Sequence, residues 1–118
     1  MLLVVFSNFY KIIKNENNNN LYMDFVSRTA FKLHRINMRR PFLLVEGKLG
    51  YLGCGHLDMG ICEDSGDAVA VVQDARSFDD MLKSKVVDVT SAGQSLGINI
   101  GMLGEDAIKK ICHSWELR

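Results

Sequence analysis

The stretch LLVEGKLGYLGCGHLD, residues 43–58, decides how this chain folds. The apolar run at 42–46, the glycine-bounded turn at 47–50 and the extended run at 51–55 form the pattern of two strands joined by a hairpin. Asp58 follows where a helix N-cap is expected, because its carboxylate can accept hydrogen bonds from the first free backbone amides of a helix over 59–64. The stretch therefore predicts a hairpin that leads directly into a short helix, which Gly66 ends in a left-handed conformation.

Upstream of this stretch, residues 25–36 alternate between apolar and polar side chains. Phe31 and Leu33 share one face, whereas Lys32 and His34 share the other, as in a half-buried strand. Downstream, the continuous apolar run at 68–72 is typical of a central strand covered on both sides. The rest of the chain predicts a helix over 78–82 capped by Ser77, a strand over 85–89, a helix capped by Ser91 that stops at Gly97, and a last helix over 105–115.

This order predicts an α+β domain in two layers, with a mixed five-stranded sheet in the order β-β-β-α-β-α-β-α-α. Because the helices are short, we expect them mainly on one face of the sheet. The other face is then partly solvated or buried by another copy of the chain. A three-layer α/β sandwich is the alternative.

The composition fits one folded domain: 118 residues, 47% hydrophobic, with 14 basic and 14 acidic side chains. The zero net charge hides an asymmetry, since residues 1–40 carry +5 and residues 41–118 carry −5. A neutral chain argues against a general nucleic-acid binder. The asymmetry instead predicts contact between the basic segment and the acidic remainder, within the fold or across an oligomer.

The N-terminal segment, residues 1–20, is expected to be a flexible, Asn-rich appendage to a single domain over 21–118. Its longest uncharged stretch is ten residues, too short to span a membrane, and it lacks the pattern of a signal peptide. Cys54, Cys62 and Cys112 make an odd count without a CxxC pair. This usage favours reduced thiols in the cytoplasm and predicts neither disulfides nor a metal site.

The strongest candidate for chemistry is the turn that contains Cys54, His56 and Asp58. In extended backbone these three side chains project to one side, and Gly53 and Gly55 leave the opposite side bare for a ligand. A cysteine just before a helix start can be a nucleophile, because the helix dipole stabilises its thiolate. The alternative is structural: a small buried cysteine, a surface histidine and a plain helix cap.

The loop at 96–104, with Gly101 and Gly104, is a second candidate, because a glycine-rich loop before a helix can cradle a phosphate. Glu105 and Asp106 place two carboxylates in the first turn of that helix and would repel an anion. We therefore interpret the loop mainly as turn architecture.

Two motifs in the chain resemble those of the YunC-like family of small archaeal and bacterial proteins. The first carries Lys48, Gly50, Cys54, Gly55 and Asp58, and the second carries Gly97, Ile98, Gly101, Met102 and Gly104. The resemblance spans roughly residues 25–112 and implies a two-layer α+β fold and a cytoplasmic protein, but no established activity. The turn at 47–58 and the loop at 96–104 together supply the candidate ligand-binding residues: Lys48, Gly53, Gly55, Asp58, Gly101 and Gly104.

Two hypotheses for function follow. The first is a homo-oligomeric binding or interaction domain without a cofactor. The alternative is a small-molecule-binding domain or a cysteine-dependent enzyme that uses Cys54, with His56 as its catalytic partner. Both hypotheses expect neither nucleic acid nor a membrane as partner.

Overall fold

One sheet of eight strands forms the framework of the protein. The computed structural model describes residues 2–7, 10–14, 21–24, 29–55 and 57–112, with side chains from residue 30 onward. The strands follow the chain order across the sheet: β1 Leu2–Ser7, β2 Tyr10–Lys14, β3 Leu21–Asp24, β4 Thr29–Ile36, β5 Phe42–Glu46, β6 Tyr51–Gly53, β7 Val69–Val72 and β8 Val86–Val89. The helices are α1 Met59–Ser65, α2 Phe78–Lys83, α3 Ser91–Ser95 and α4 Gly104–Ile111.

The predicted mixed sheet is confirmed. Strands β4–β8 with the four helices follow the order β-β-β-α-β-α-β-α-α, and β6 and β7 form a parallel pair connected through α1. The sheet also extends beyond the prediction, because β1, β2 and β3 add an antiparallel meander outside β4. The flexibility of residues 1–20 stays a prediction, and residues 25–28, the expected start of the first strand, lie outside the described residues.

The hydrophobic core lies between one face of the sheet and three of the four helices. Leu33, Val45, Leu52 and Ala70 are in register across β4–β7 and belong to the core or pack against it. Phe78 of α2 stacks on the strand residue Phe31, with ring centroids 5.3 Å apart. Helix α1 instead faces the opposite side of the sheet, where its side chains adjoin residues that alternate with the core positions. The expectation of helices mainly on one face is met.

Local capping follows the sequence closely at α1 and α2. The carboxylate of Asp58 accepts a hydrogen bond from the backbone N–H of Ile61 at 3.1 Å, and Gly66 ends α1 with φ +79°. Ser77 accepts a hydrogen bond from the N–H of Asp80 at the start of α2, at 3.1 Å. Short polar side chains at N-caps thus set where these two helices begin.

Three local predictions need correction. The cap of α3 is Thr90 rather than Ser91, because the Thr90 hydroxyl also bonds to β7 and is fixed there. Helix α4 ends at Ile111, since Cys112 is already extended with ψ 136°; the predicted end, Trp115, lies outside the described residues. Strand β6 ends at Gly53 instead of residue 55, because the chain turns at 55 towards α1.

Within the described ranges, no helix has both the length and the apolar character that crossing a bilayer demands.

Candidate functional site

A cavity of about 180 Å³ lies at the carboxyl ends of the parallel strands β6 and β7. Ligands of open α/β sheets commonly bind outside the carboxyl ends of parallel strands, which makes this location a candidate site. The segments that follow the two strands form much of its wall, together with the β4–β5 turn and β8. The lining residues are Arg40, Cys54, Gly55, Val71, Val72, Gln73, Asp74, Ala75 and Val87.

Cys54 is fixed in the wall of this cavity by hydrogen bonds to the neighbouring strand. Its Sγ accepts from the backbone N–H of Leu43 at 3.3 Å and donates to the carbonyl of Pro41 at 3.6 Å. The backbone N–H of Cys54 donates to the carbonyl of Leu43 at 3.3 Å. The side chain is 3% exposed. The thiol is therefore held in a defined orientation at the boundary between the core and the cavity.

Charged side chains stand at the rim of the same cavity. The guanidinium of Arg40 lies 2.7 Å from the carboxylate of Asp74, and both side chains are more than half exposed. The motifs of the sequence do not indicate this pair as part of the site. The available signal was positional, because Arg40 immediately precedes the proline before β5 and Asp74 comes just after β7.

The glycines beside Cys54 have different environments. A Cβ on Gly53 would lie 2.4 Å from Cδ1 of Leu57, so this glycine makes room for the chain's own Leu57 rather than for a ligand. A Cβ on Gly55 would meet nothing within 4 Å, and Gly55 borders the cavity. The side that the glycines were expected to leave bare is thus open only at Gly55.

The other predicted site residues are distributed over the molecule. Asp58 uses its carboxylate to cap α1, and His56 lies outside the described residues. Lys48 lies in the β5–β6 turn, at the opposite end of β6 from Cys54, where it borders a different cavity. The structure therefore brings Cys54 and Gly55 together at one cavity and places Lys48 elsewhere.

The glycine loop before α4 has a structural explanation. Gly101 has φ +93° and donates its N–H to the carbonyl of Val86 at 2.8 Å, which covers part of the edge of β8. A Cβ on Gly104 would lie 1.8 Å from the carbonyl oxygen of Met81. These contacts account for both glycines through chain packing.

The electrostatics of α1 depend on its contact with α3. The carboxylate of Glu63 accepts hydrogen bonds from the hydroxyl of Ser91 and from its backbone N–H, the latter at 2.9 Å. Both bonds favour the charged carboxylate and lower the pKa of Glu63 below its ordinary value of 4.5. This contact ties α1 to the start of α3.

No three His, Cys, Asp or Glu side chains cluster in a way that could hold a metal ion, as far as the described ranges extend. Cys54, Cys62 and Cys112 are all free thiols. Their chemistry is that of individual cysteines in three different environments.

The fold and the cavity define a small α+β domain with one parallel pair of strands, β6 and β7. A buried thiol lies at the carboxyl ends of these two strands. The chain belongs to the family described as Domain of unknown function (DUF1805), whose model matches residues 53–111. This membership confirms the resemblance to the YunC-like family.

The chain is similar to two individual proteins, one by sequence and one by structure. It is 33% identical over 78 residues to the Uncharacterized protein YunC of Bacillus subtilis (strain 168). The alignment covers 59% of this chain and 73% of that protein. The crystal structure of a protein of unknown function, TA1206 from Thermoplasma acidophilum, superposes with a TM-score of 0.67 at 26% identity, covering 86% of this chain and 90% of that one. The fold is therefore shared, and neither description names an activity.

Proposed function

We propose that this chain is a small binding domain that acts as a homo-oligomer, with α1 at the contact between copies. The observation that carries the proposal is that α1, seven residues long, buries none of its side chains. Ile61 on this helix is 64% exposed. Because so short a helix depends on tertiary packing for its stability, an exposed isoleucine on it supports contact with another surface.

Charge complementarity favours a second copy as that surface. Residues 58–65, which contain α1, carry three acidic side chains and no basic one. Residues 32–40, in β4 and the turn after it, carry four basic side chains and no acidic one. In a two-fold contact each patch meets the opposite patch of its partner, so both attractions occur twice.

The test compares two equally exposed isoleucines. Ile61→Glu adds a negative charge to α1, whereas Ile100→Glu makes the same change at a residue that is also 64% exposed but lies in the loop before α4. Light scattering at tens of micromolar should show an oligomer for the wild type and for Ile100→Glu, and a monomer for Ile61→Glu. A monomeric wild type, or equal effects of both variants, would refute the proposal.

Salt provides a second measurement on the same contact. If opposite charges hold the copies together, added salt screens them and the dissociation constant rises. A constant that does not change with salt would contradict the role of the charged segments.

The second candidate function is binding or conversion of a small molecule at the Cys54 cavity. The observation that favours it is the N–H of Leu43, which donates to the Cys54 Sγ at the carboxyl end of the parallel pair. This bond fixes the sulfur in the wall of the cavity, where a cysteine nucleophile meets a bound ligand. The free thiols also support a reducing compartment, the cytoplasm.

Alkylation at neutral pH tests this second candidate. Cys62 is half-buried and Cys54 is buried, so accessibility alone predicts faster labelling of Cys62. Faster labelling of Cys54, measured by peptide mass spectrometry, would support an activated thiol. Labelling of Cys62 before Cys54 would refute it.

A further inference from the structure

A second cavity, of about 420 Å³, lies at the opposite end of β6 and β7 from Cys54. Its walls come from the β5–β6 turn, the segment between α1 and β7, and one side of α3. Glycine and alanine supply much of the wall, and Gly50 is required there because a Cβ would lie 2.5 Å from the carbonyl oxygen of Ala68. Small residues therefore leave an open volume at this end of the sheet.

An apolar cleft of about 220 Å³ adjoins this cavity underneath α1. The two volumes share the lining residues Tyr51 and Asp67. The remaining walls of the cleft are the apolar side chains of Leu44, Leu57 and Val69 and the thiol of Cys62. Together the two spaces form one candidate site: the larger cavity is its polar mouth, and the cleft under α1 is its apolar end.

The mouth carries one positive and one negative side chain. Lys48 and Asp67 both line the larger cavity, and within the part of the chain that the structure describes neither has an ion-pair partner. A simple anion would be attracted by Lys48 and repelled by Asp67, and a simple cation would meet the reverse. Lys48 and Asp67 are both exposed, and a ligand that carries both charges complements both groups.

We propose that this site binds a free α-amino acid with an apolar side chain. Lys48 holds the carboxylate of the ligand, Asp67 holds its ammonium group, and the side chain enters the cleft beside Leu44 and Cys62. Buried apolar area supplies affinity there, while the paired charges fix the orientation of the ligand. This site is separate from the Cys54 cavity and lies on the inner side of α1, so it goes beyond the proposed oligomer.

The test uses leucine and three analogues that each lack one feature. Isocaproate lacks the ammonium group, isoamylamine lacks the carboxylate, and glycine lacks the apolar side chain. Calorimetric titration of the full chain should show leucine binding at least about tenfold more tightly than each analogue, since each missing group leaves part of the site unmatched. Equal affinities, or no leucine binding at millimolar concentration, would overturn the proposal.

Two variants and two matched controls assign the charges. Lys48→Ala should weaken leucine binding about tenfold or more without weakening isoamylamine, which Lys48 repels. Asp67→Asn should weaken leucine without weakening isocaproate, which Asp67 repels. Lys85→Ala and Asp106→Asn alter exposed charges outside both volumes and should change nothing. Equal losses in the site variants and the controls would refute the assignment.

Cys62 gives an internal reporter of occupancy. Leucine in the cleft should slow alkylation of Cys62 and leave Cys54 unaffected, because only Cys62 borders the cleft. Light scattering with and without leucine separates this protection from oligomerisation, which would also cover α1. Protection of Cys62 at an unchanged oligomeric state supports the site; unprotected Cys62 at saturating leucine refutes it.

Discussion

The hydroxyl of Thr90 accepts a hydrogen bond at 3.0 Å from the backbone N–H of Val69, the first residue of β7. The same oxygen accepts from the N–H of Gly93 at 3.2 Å and donates to the carbonyl of Asp67 at 2.7 Å. Thr90 is 3% exposed and is the buried polar side chain of the described core. One hydroxyl thus joins the start of a central strand to the start of α3, beside the proposed amino-acid site.

Replacing Thr90 by valine should destabilise the protein by about 2–5 kcal/mol. Valine has nearly the same shape as threonine, but the N–H groups of Val69 and Gly93 each lose a hydrogen-bond partner. An unsatisfied buried donor costs about 1–3 kcal/mol. Urea unfolding measures the change. Thr90→Ser keeps the hydroxyl and should recover most of the stability; similar losses for valine and serine would show that packing of the methyl group dominates.

The cap of α3 illustrates what the sequence could and could not predict. A helix start near residue 90 was evident, but Thr90 and Ser91 are both hydroxyl residues and local pattern cannot choose between them. The choice depends on Val69, which is 21 residues away in sequence. Strand order and helix caps with local partners, as at Asp58, were predictable because short-range physics determines them.

The candidate sites follow the same division. Cys54 and Gly55 are predictable as members of one site because they are adjacent in the sequence. The Arg40–Asp74 rim arises from residues 34 positions apart, and Lys48 and Asp67 line one cavity because the β5–β6 turn lies beside the segment before β7. Sequence patterns identify Lys48 as a motif residue but not Asp67, because only the folded chain places both residues at one cavity.

Gly104→Ala should destabilise the fold by about 1–3 kcal/mol or more. The added Cβ would overlap the carbonyl oxygen of Met81, which is backbone and cannot rotate away, so α4 must shift. Gly55→Ala is the control, since a Cβ there meets nothing within 4 Å. Thermal unfolding should show a lower midpoint for Gly104→Ala alone. An unchanged midpoint would mean that α4 can move without cost.

Acidification should weaken the attachment of α1 to α3. Hydrogen bonds from Ser91 lower the pKa of Glu63, so the folded state favours the carboxylate more than the unfolded state does. The resulting stabilisation is present above about pH 4.5 and is lost as the pH falls through the lower pKa of the folded protein. Glu63→Gln should therefore cost stability at neutral pH and progressively less in acid.

The matched control for this pH effect is Asp64→Asn, an exposed carboxylate next along α1. The difference in unfolding free energy between wild type and each variant, measured by urea at several pH values, should converge in acid for Glu63→Gln alone. Ser91→Ala should reduce the same pH dependence, because its hydroxyl is the larger cause of the shift. Parallel curves for Glu63→Gln and Asp64→Asn would contradict the role of Ser91.

Substitution of Cys54 separates a structural thiol from a reactive one. Cys54→Ala removes the acceptor for the N–H of Leu43, so we expect a loss of about 1–3 kcal/mol, whereas Cys62→Ala at a half-buried position should cost less than about 1 kcal/mol. Cys54→Ser restores an acceptor for Leu43 and a donor for Pro41 and should lie between wild type and alanine. If Cys54→Ala unfolds at the wild-type urea concentration, the hydrogen bond to sulfur does not stabilise the fold, and the structural role of this thiol is refuted.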